Sequence, residues 1–157
     1  MVSDSNSKLY QITSLPDVKN FDGKRQFSGY IKADNQTSLF FWLVKPASVT
    51  QTVQDLVIWL NGGPGCSSMD GNMMELGAYR FDWNDGKLKE NPYSWSVRPN
   101  VHLLYIDQPG STGFSVSSNE NMPTTTAIEN FASFYQNFLA IFDEYASNTR
   151  LFITGER

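Results

Sequence analysis

The residues of this chain best suited to chemistry lie in the loop Asn61–Ser68, which reads NGGPGCSS. The loop follows an apolar run, Leu56–Leu60, of the kind that forms a strand buried on both faces. Its glycines allow backbone conformations closed to other residues and leave N–H groups exposed. Because α/β sheets place their ligands at the carboxyl ends of strands, the loop is suited to holding an oxyanion or a carboxylate. A tight corner without a binding role is the alternative.

A short helix is predicted directly after this loop. Ser67 or Ser68 can cap its start, and Gly77 is a usual stop residue. The positive end of the helix dipole would then add to the anion site. We interpret the methionines at helical spacing as core residues rather than a ligand surface; these are Met69, Met73 and Met74.

The single histidine and the single cysteine offer little chemistry by themselves. His102 lies inside the apolar run Val101–Ile106 and not at its carboxyl end, so we interpret it as a structural residue and not as a catalytic base. Cys66 has no partner for a disulfide within these residues, and a small buried thiol is one reading of it. No metal-ligand pattern or cofactor motif is recognised, so neither a metal nor a cofactor is predicted.

Two strand-like runs, Gln26–Lys32 and Ser38–Lys45, are separated by a turn-forming segment and predict an antiparallel hairpin. The turn carries the glycosylation sequon that begins at Asn35, which makes this residue a weak candidate for modification. Residues 1–25 are expected to be a loose N-terminal segment, and residues 26–157 to form part of a single domain.

The second half of the chain alternates strands and helices. Val101–Ile106 and Leu151–Thr154 are predicted as buried strands, and the wide apolar stripe of Thr126–Tyr145 predicts a helix that packs on a sheet. Strands followed by helices imply parallel pairing through right-handed crossovers. Asn84-Asp85-Gly86 indicates a small hairpin within the segment Tyr79–Tyr93.

The composition describes a globular, mildly acidic chain. Its 157 residues are 40% hydrophobic, and the formal net charge is −4 without a basic cluster, which argues against nucleic acid as a partner. No apolar segment approaches the roughly 20 residues that span a bilayer, and no secretory signal is recognised at the start.

Several motifs agree, in order and spacing, with one protein family. They are WLNGGPGCSS with Gly71, Glu75 and Gly77, then ENPYSW at 90–95, LLYIDQPGSTGFS at 103–115, and ITGE at 153–156. In these motifs the chain resembles the serine carboxypeptidases, peptidases built on the α/β-hydrolase fold. The resemblance implies an α/β, incomplete α/β-hydrolase fold, in which an N-terminal antiparallel hairpin leads into a mainly parallel sheet with flanking helices.

The same resemblance implies roles for individual residues. Gly63, together with Gly62, would supply an oxyanion donor, while Asn61, Glu75 and Glu156 would hold the terminal carboxylate of a substrate. Carboxylic acids that lie close together cannot all ionise, so a retained proton can be donated to that carboxylate. The resemblance also implies that Cys66 pairs with a cysteine far downstream in the family, and that the family works in the secretory pathway, vacuole or extracellular space.

One departure from the family pattern concerns the nucleophile. Gly155-Glu156 begins the G-x-S-x-G pattern, but Arg157 follows where the family has serine. We therefore expect a serine-type carboxypeptidase truncated before its catalytic serine and inactive alone, with a peptide or protein C-terminus and a missing C-terminal portion as partners. A catalytically dead peptide-binding relative, a degraded fragment and a different esterase-like hydrolase are the alternatives. Alone, Leu151–Thr154 would become an exposed apolar edge prone to aggregation.

Overall fold

A computed structural model of the protein describes residues 4–19, 21–119 and 122–156. The strands are β1 Gln26–Lys32, β2 Thr37–Val44, β3 Gln54–Leu60, β4 Tyr79–Asp82, β5 Lys87–Glu90, β6 Val101–Ile106, β7 Val116–Ser117 and β8 Thr149–Gly155. The helices are α1 Asp4–Ser7, a π-helix Gly71–Leu76, α2 Thr124–Ile141, and the 3₁₀ turns Lys8–Tyr10, Gly23–Arg25, Trp95–Val97 and Asp143–Tyr145.

The main sheet is mixed and runs in the order β1-β2-β6-β3-β8, with β7 paired to β2. The predicted hairpin is confirmed as the antiparallel pair of β1 and β2, and β2 also pairs antiparallel with β6. The strands β6 and β8 both lie parallel to β3, as the alternation of strands and helices predicts. The carboxyl ends of β3, β6 and β8 therefore meet at one edge of the sheet.

Each face of the sheet has its own apolar core, because successive strand residues point to opposite faces. On one face, Leu56 and Ile58 of β3 pack with Phe134 and Phe138 of α2. On the other face, the buried core residues are Val44, Val57, Trp59, Met69, Leu103 and Tyr105, with Leu76 of the π-helix packed against them. The central strands β3 and β6 are thus covered on both faces, which confirms the double burial predicted for them.

Two helices differ in detail from their predictions. The helix α2 ends at Ile141, four residues before Tyr145, because Phe142 leaves the helical region and a 3₁₀ turn follows. The short helix before Gly77 is a π-helix, which the sequence pattern did not predict. Of the three methionines, only Met69, which precedes the π-helix, is a core residue. Met73 and Met74 line an open apolar cavity, so the prediction that both fill the core is wrong.

The small hairpin around Asn84-Asp85-Gly86 is confirmed as β4 and β5, which pair antiparallel. Next to it in the chain, Asn91 and Ser94 close the end of the π-helix. The Asn91 amide donates hydrogen bonds to the carbonyl oxygens of Glu75 and Gly77, and the Ser94 hydroxyl donates to that of Leu76. The ENPYSW motif therefore fixes the carboxyl end of the π-helix.

The described part of the segment before β1 is attached to the sheet. The ring of Tyr10 lies against Phe41 and Phe142, with ring centroids 5.5 and 6.1 Å apart. Gln11 forms a β-bridge with Phe27. The prediction of a loose segment 1–25 is therefore too broad, because it does not hold for residues 10 and 11. The polar composition of the first residues did not reveal that Tyr10 packs on aromatic rings or that Gln11 pairs with a strand.

The edge strand β8 departs from the prediction of a buried strand. Among the strands of the described residues it pairs with β3 alone, and Leu151, Phe152 and Ile153 are 42%, 45% and 58% exposed. Both faces of this strand are thus open to solvent, as expected for these residues without further flanking elements. Exposed apolar edges favour pairing with other chains.

We predict that the isolated chain self-associates through β8 at micromolar concentration and that Ile153→Lys reduces this association. A lysine on an edge strand disfavours pairing because a second chain would have to bury its charge. Light scattering during thermal unfolding measures the effect. The control Ser147→Lys adds the same charge in the loop before β8 and should change association less. A parent chain that stays monomeric through one sharp, reversible transition would contradict the prediction.

Candidate active site: an anion pocket at the carboxyl ends of parallel strands

Asn61 lies at the centre of the candidate site, directly after β3. It is only 8% exposed, and both ends of its side-chain amide are engaged. The indole N–H of Trp59 donates to Asn61 Oδ1 at 2.7 Å, and Asn61 Nδ2 donates to Glu156 Oε1 at 2.8 Å. The bond from Trp59 fixes the orientation of the amide, so that its N–H₂ group faces the carboxylate of Glu156.

Gly71 makes room for the hydrogen bond between Trp59 and Asn61. A Cβ atom at Gly71 would overlap the indole nitrogen of Trp59 and approach Asn61 Oδ1. The first residue of the π-helix therefore lies directly against the amide that defines the site.

The glycine loop has the geometry of an anion-binding loop. Gly63 and Gly65 have φ angles of 115° and 105°, which L side chains rarely adopt. The loop closes on itself where the N–H of Cys66 donates to the carbonyl oxygen of Gly62. Among the described residues, none accepts a hydrogen bond from the N–H of Gly62 or Gly63. Free backbone N–H groups at such a position can bind an oxyanion.

The carboxylate of Asp107, directly after β6, anchors the loop. This side chain is fully buried. Asp107 Oδ1 accepts from the Ser67 hydroxyl at 2.8 Å and from the Ser68 N–H at 2.7 Å. Asp107 Oδ2 accepts from the N–H of Phe114 at 2.9 Å. Three donors thus satisfy the buried charge and join the glycine loop to the loop after β6.

Ser68 extends this network to the strands. Its hydroxyl donates to the carbonyl oxygen of Ile106 at 2.6 Å and accepts from the N–H of Asn61 at 3.1 Å. The backbone of Asn61 is therefore fixed to the end of β6 by one buried hydroxyl. Ser67 Oγ accepts from the N–H of Met69, two residues before the π-helix. The π-helix itself begins after Asp70 without a side-chain cap, so the prediction that Ser67 or Ser68 caps it is wrong.

Glu75 and Glu156 reach the site from different elements. The N–H of Glu156 donates to the carbonyl oxygen of Leu60, which holds the residue beside Asn61. Glu75 lies on the π-helix. Partial burial raises the pKa of Glu75, and the negative charges of Glu156 and Asp70 raise it further. The structure thus brings the three predicted carboxylate-site residues into one region, and Glu75 retains its proton more readily than an isolated glutamate.

His102 lies away from the glycine loop and is structural, as predicted. It is buried, and its Nδ1 lies 2.7 Å from the hydroxyl of Tyr145. Burial lowers the pKa of His102 to about 4, the Lys45 charge adds to this effect, and Asp55 opposes it. The imidazole is therefore neutral at pH 7.

Two further candidates lie outside this network. The Cys66 thiol is exposed and unpaired among the described residues, which excludes the buried-thiol reading, and its pairing stays a prediction. Asn35 is exposed in the turn between β1 and β2, so it is accessible, and its glycosylation also stays a prediction. Arg157, at the expected position of the nucleophile, lies outside the described residues.

Sequence reasoning missed Asp107, Trp59 and Gly71. The partners of Asp107 and Gly71 lie in other parts of the chain, so no local pattern identifies these two residues. Trp59 lies only two residues from its partner Asn61, but a tryptophan within an apolar run is interpreted first as a core residue. The one available signal for Asp107 was its place at the end of an apolar strand, the same signal that identified Asn61. Within the described ranges, no three His, Cys, Asp or Glu side chains come together as a metal site requires. No helix there combines the length and hydropathy needed to cross a bilayer.

A mixed sheet with a glycine-rich anion loop at the carboxyl ends of its parallel strands defines part of an α/β-hydrolase fold. The structure superposes on the crystal structure of Kex1(delta)p, a prohormone-processing carboxypeptidase from Saccharomyces cerevisiae, with a TM-score of 0.79 and 30% identity. The match covers 95% of this chain and 35% of that one.

The sequence comparisons identify the family. The model of the serine carboxypeptidase family matches residues 16–157, and the chain belongs to this family. It is 37% identical to the lysosomal protective protein of Mus musculus, over 93% of this chain and 30% of the relative. It is 40% identical to serine-type carboxypeptidase F of Aspergillus niger, over 97% and 28%. The chain thus spans less than a third of the length of these relatives.

We predict that Asp107→Asn lowers the free energy of unfolding by about 3 kcal/mol. The replacement removes the charge and places an amide N–H₂ group against backbone and hydroxyl donors, which leaves buried donors without acceptors. Urea denaturation followed by circular dichroism measures the change. The control Asp85→Asn removes an exposed carboxylate from the β4–β5 hairpin and should cost less than about 1 kcal/mol. Equal effects of the two variants would contradict the anchoring role of Asp107.

Proposed function

We propose that this chain forms the part of a serine-type carboxypeptidase that binds the C-terminal carboxylate of a peptide and the oxyanion of the reaction. The observation that carries the proposal is the Asn61–Glu156 hydrogen bond beside the unpaired N–H groups of Gly62 and Gly63. Membership of the family and the names of its relatives support the same activity. The relatives' names support proteolysis as the process and, for one of them, a lysosomal location.

In this proposal, Asn61 recognises the terminal carboxylate of the peptide. Its Nδ2 group has two hydrogens, and one of them already points at Glu156. The carboxylate of a substrate accepts the other, and it accepts a second hydrogen bond from the proton that Glu75 retains. The raised pKa of Glu75 supports this role, because a carboxyl group donates a hydrogen bond only while it is protonated.

The glycine loop acts at the scissile peptide bond, which lies next to the terminal carboxylate that Asn61 binds. The N–H of Gly63, with that of Gly62 beside it, donates to the oxygen that becomes negative when the scissile carbonyl is attacked. Asp107 holds the loop through Ser67 and Ser68, so these donors are oriented before a substrate arrives. A preorganised donor needs no rearrangement as the charge develops.

Hydrolysis by these 157 residues alone is not part of the proposal. The chain has one histidine, and that side chain is buried, neutral and bonded to Tyr145. No described residue therefore supplies a general base of the Ser-His-Asp type beside the glycine loop. We propose that this chain binds peptide C-termini without cleaving them.

We predict that the chain binds N-acetyl-phenylalanyl-leucine and not its C-terminal amide, and that binding weakens as pH rises. Raising the pH removes the proton from Glu75, so its negative charge then repels the carboxylate of the peptide. Isothermal titration calorimetry between pH 4.5 and 7.5 measures the affinity. Glu75→Gln keeps a hydrogen-bond donor that does not titrate, so its binding should depend less on pH.

The matched control is Glu129→Gln, which removes an exposed carboxylate on α2 and should leave the pH dependence unchanged. Free leucine should not accumulate in any of these samples. Equal affinity for the acid and the amide would contradict carboxylate recognition, and release of leucine that a serine-directed inhibitor blocks would contradict binding without cleavage.

A further inference from the structure

His102 forms a buried polar contact at the end of the sheet opposite the candidate site. It is the second residue of β6, so it lies near the amino ends of the parallel strands, whereas Asn61 and the glycine loop lie at their carboxyl ends. The side chain is 3% exposed, and its Nδ1 lies 2.7 Å from the hydroxyl of Tyr145. This contact joins β6 to the 3₁₀ turn Asp143–Tyr145 that follows α2.

The contact suits a neutral imidazole and not a protonated one. The Tyr145 hydroxyl has no other hydrogen-bond partner among the described residues, and it can donate to Nδ1 only if that nitrogen carries no proton. The ring proton then lies on Nε2, which is buried and has no partner in the same ranges. A protonated ring would have two N–H donors, so both Nε2 and the Tyr145 hydroxyl would be left without an acceptor.

The charged groups beside His102 are already paired with each other. Lys45 follows β2 and lies 2.5 Å from Glu144 of the turn, while Asp55 of β3 accepts two hydrogen bonds from Arg150 of β8. An imidazolium would therefore find no unpaired carboxylate among them. Burial and the Lys45 charge together hold the pKa of His102 at about 4, and Asp55 opposes them only in part.

We propose that His102 and Tyr145 form an acid-sensitive latch, in which protonation of His102 breaks its bond with Tyr145 and releases the turn Asp143–Tyr145 from β6. The freed imidazolium and hydroxyl then contact water, which removes the cost of burying a charge and unpaired donors. The latch controls the attachment of the turn after α2, so it does not depend on the binding of a peptide at the other end of the strands.

The turn can move while the sheet stays folded. Asp143 and Glu144 are exposed. Besides the bond of Tyr145, the polar contacts of this turn with other described elements are the ion pair with Lys45 and a hydrogen bond from Gln54 to the Glu144 carbonyl oxygen. Both are accessible to solvent, where ion pairs add little stability. The strand β6, in contrast, is paired on both sides, with β2 and β3.

The direction of the pH dependence follows from the lowered pKa of His102. The open form takes up its proton near the ordinary pKa of 6.5 and the closed form only near 4, so opening becomes more favourable as the pH falls through this range. From pH 7.5 to pH 4, this linkage raises the population of the open form by roughly 100-fold.

Hydrogen exchange of single backbone amides tests the latch in the unsubstituted chain. The N–H groups of Tyr145 and Ala146 donate hydrogen bonds within or beside the turn, so their protection reports on its opening. After correction for intrinsic exchange, this protection should fall roughly 100-fold from pH 7.5 to pH 4. The N–H of Ala33, which donates to Thr37 in the β1–β2 turn, should change far less. Constant protection at Tyr145, or an equal fall at Ala33, would overturn the proposal.

His102→Asn distinguishes the latch from a merely structural contact. The Oδ1 atom of asparagine can take the place of Nδ1 and accept from Tyr145, but it does not titrate. The variant should lose the pH dependence of protection at Tyr145. The control Asp143→Asn removes an exposed carboxylate from the same turn and should keep it. A pH dependence that survives in His102→Asn would overturn the proposal.

NMR of the imidazole adds a readout that needs no variant. The chain has one histidine, so the ring signals belong to His102. The ¹⁵N shifts at pH 7.5 should show a proton on Nε2 and none on Nδ1, and the ring should titrate well below the ordinary value of 6.5. A proton on Nδ1 at that pH, or a midpoint near 6.5, would overturn the latch. Peptide binding enters none of these measurements, so its failure would contradict the proposed function alone.

Discussion

The structure depends most on one buried carboxylate, that of Asp107. A charge in this position is costly unless donors surround it, and it is stable here because Ser67, Ser68 and Phe114 supply three. The loop after β6 adapts to it at Gly113, where φ is 53° and a Cβ atom would overlap the carboxylate. The backbone N–H of Asp107 also donates to Phe40, so a single residue connects β2, β6 and the glycine loop.

The candidate site follows from this anchor. Ser68 transmits the constraint to Asn61, and Trp59 then sets the direction of the Asn61 amide. On the opposite side, Asn91 and Ser94 fix the end of the helix that carries Glu75. Asn61 is therefore held by two buried hydrogen bonds, and the helix that carries Glu75 is held at its end by a separate segment of the chain. This arrangement explains how a loop rich in glycine, whose backbone is intrinsically flexible, can hold N–H groups in a defined direction.

The strands and the glycine loop could be predicted because their signals are local. The runs Gln26–Lys32 and Val101–Ile106 have the strand composition and turn boundaries that the structure reproduces. The position of Met73 and Met74 outside the core could not be predicted, because a period of 3.6 residues was assumed and i→i+5 bonding in a π-helix turns side chains to different faces. The role of Asp107 depends on partners from two other parts of the chain, so only the fold reveals it.

The most direct test of the account is whether a peptide carboxylate meets the donors of the glycine loop. Titration of N-acetyl-phenylalanyl-leucine into ¹⁵N-labelled protein at pH 5, followed by NMR, reports on each backbone N–H and on the Asn61 side-chain amide. The account predicts shifts at Asn61 Nδ2, Gly62 and Gly63, with Gly86 of the exposed β4–β5 hairpin unchanged. Shifts confined to the hairpin and the apolar cavity beside it, with Asn61 and Gly63 unaffected, would contradict the account.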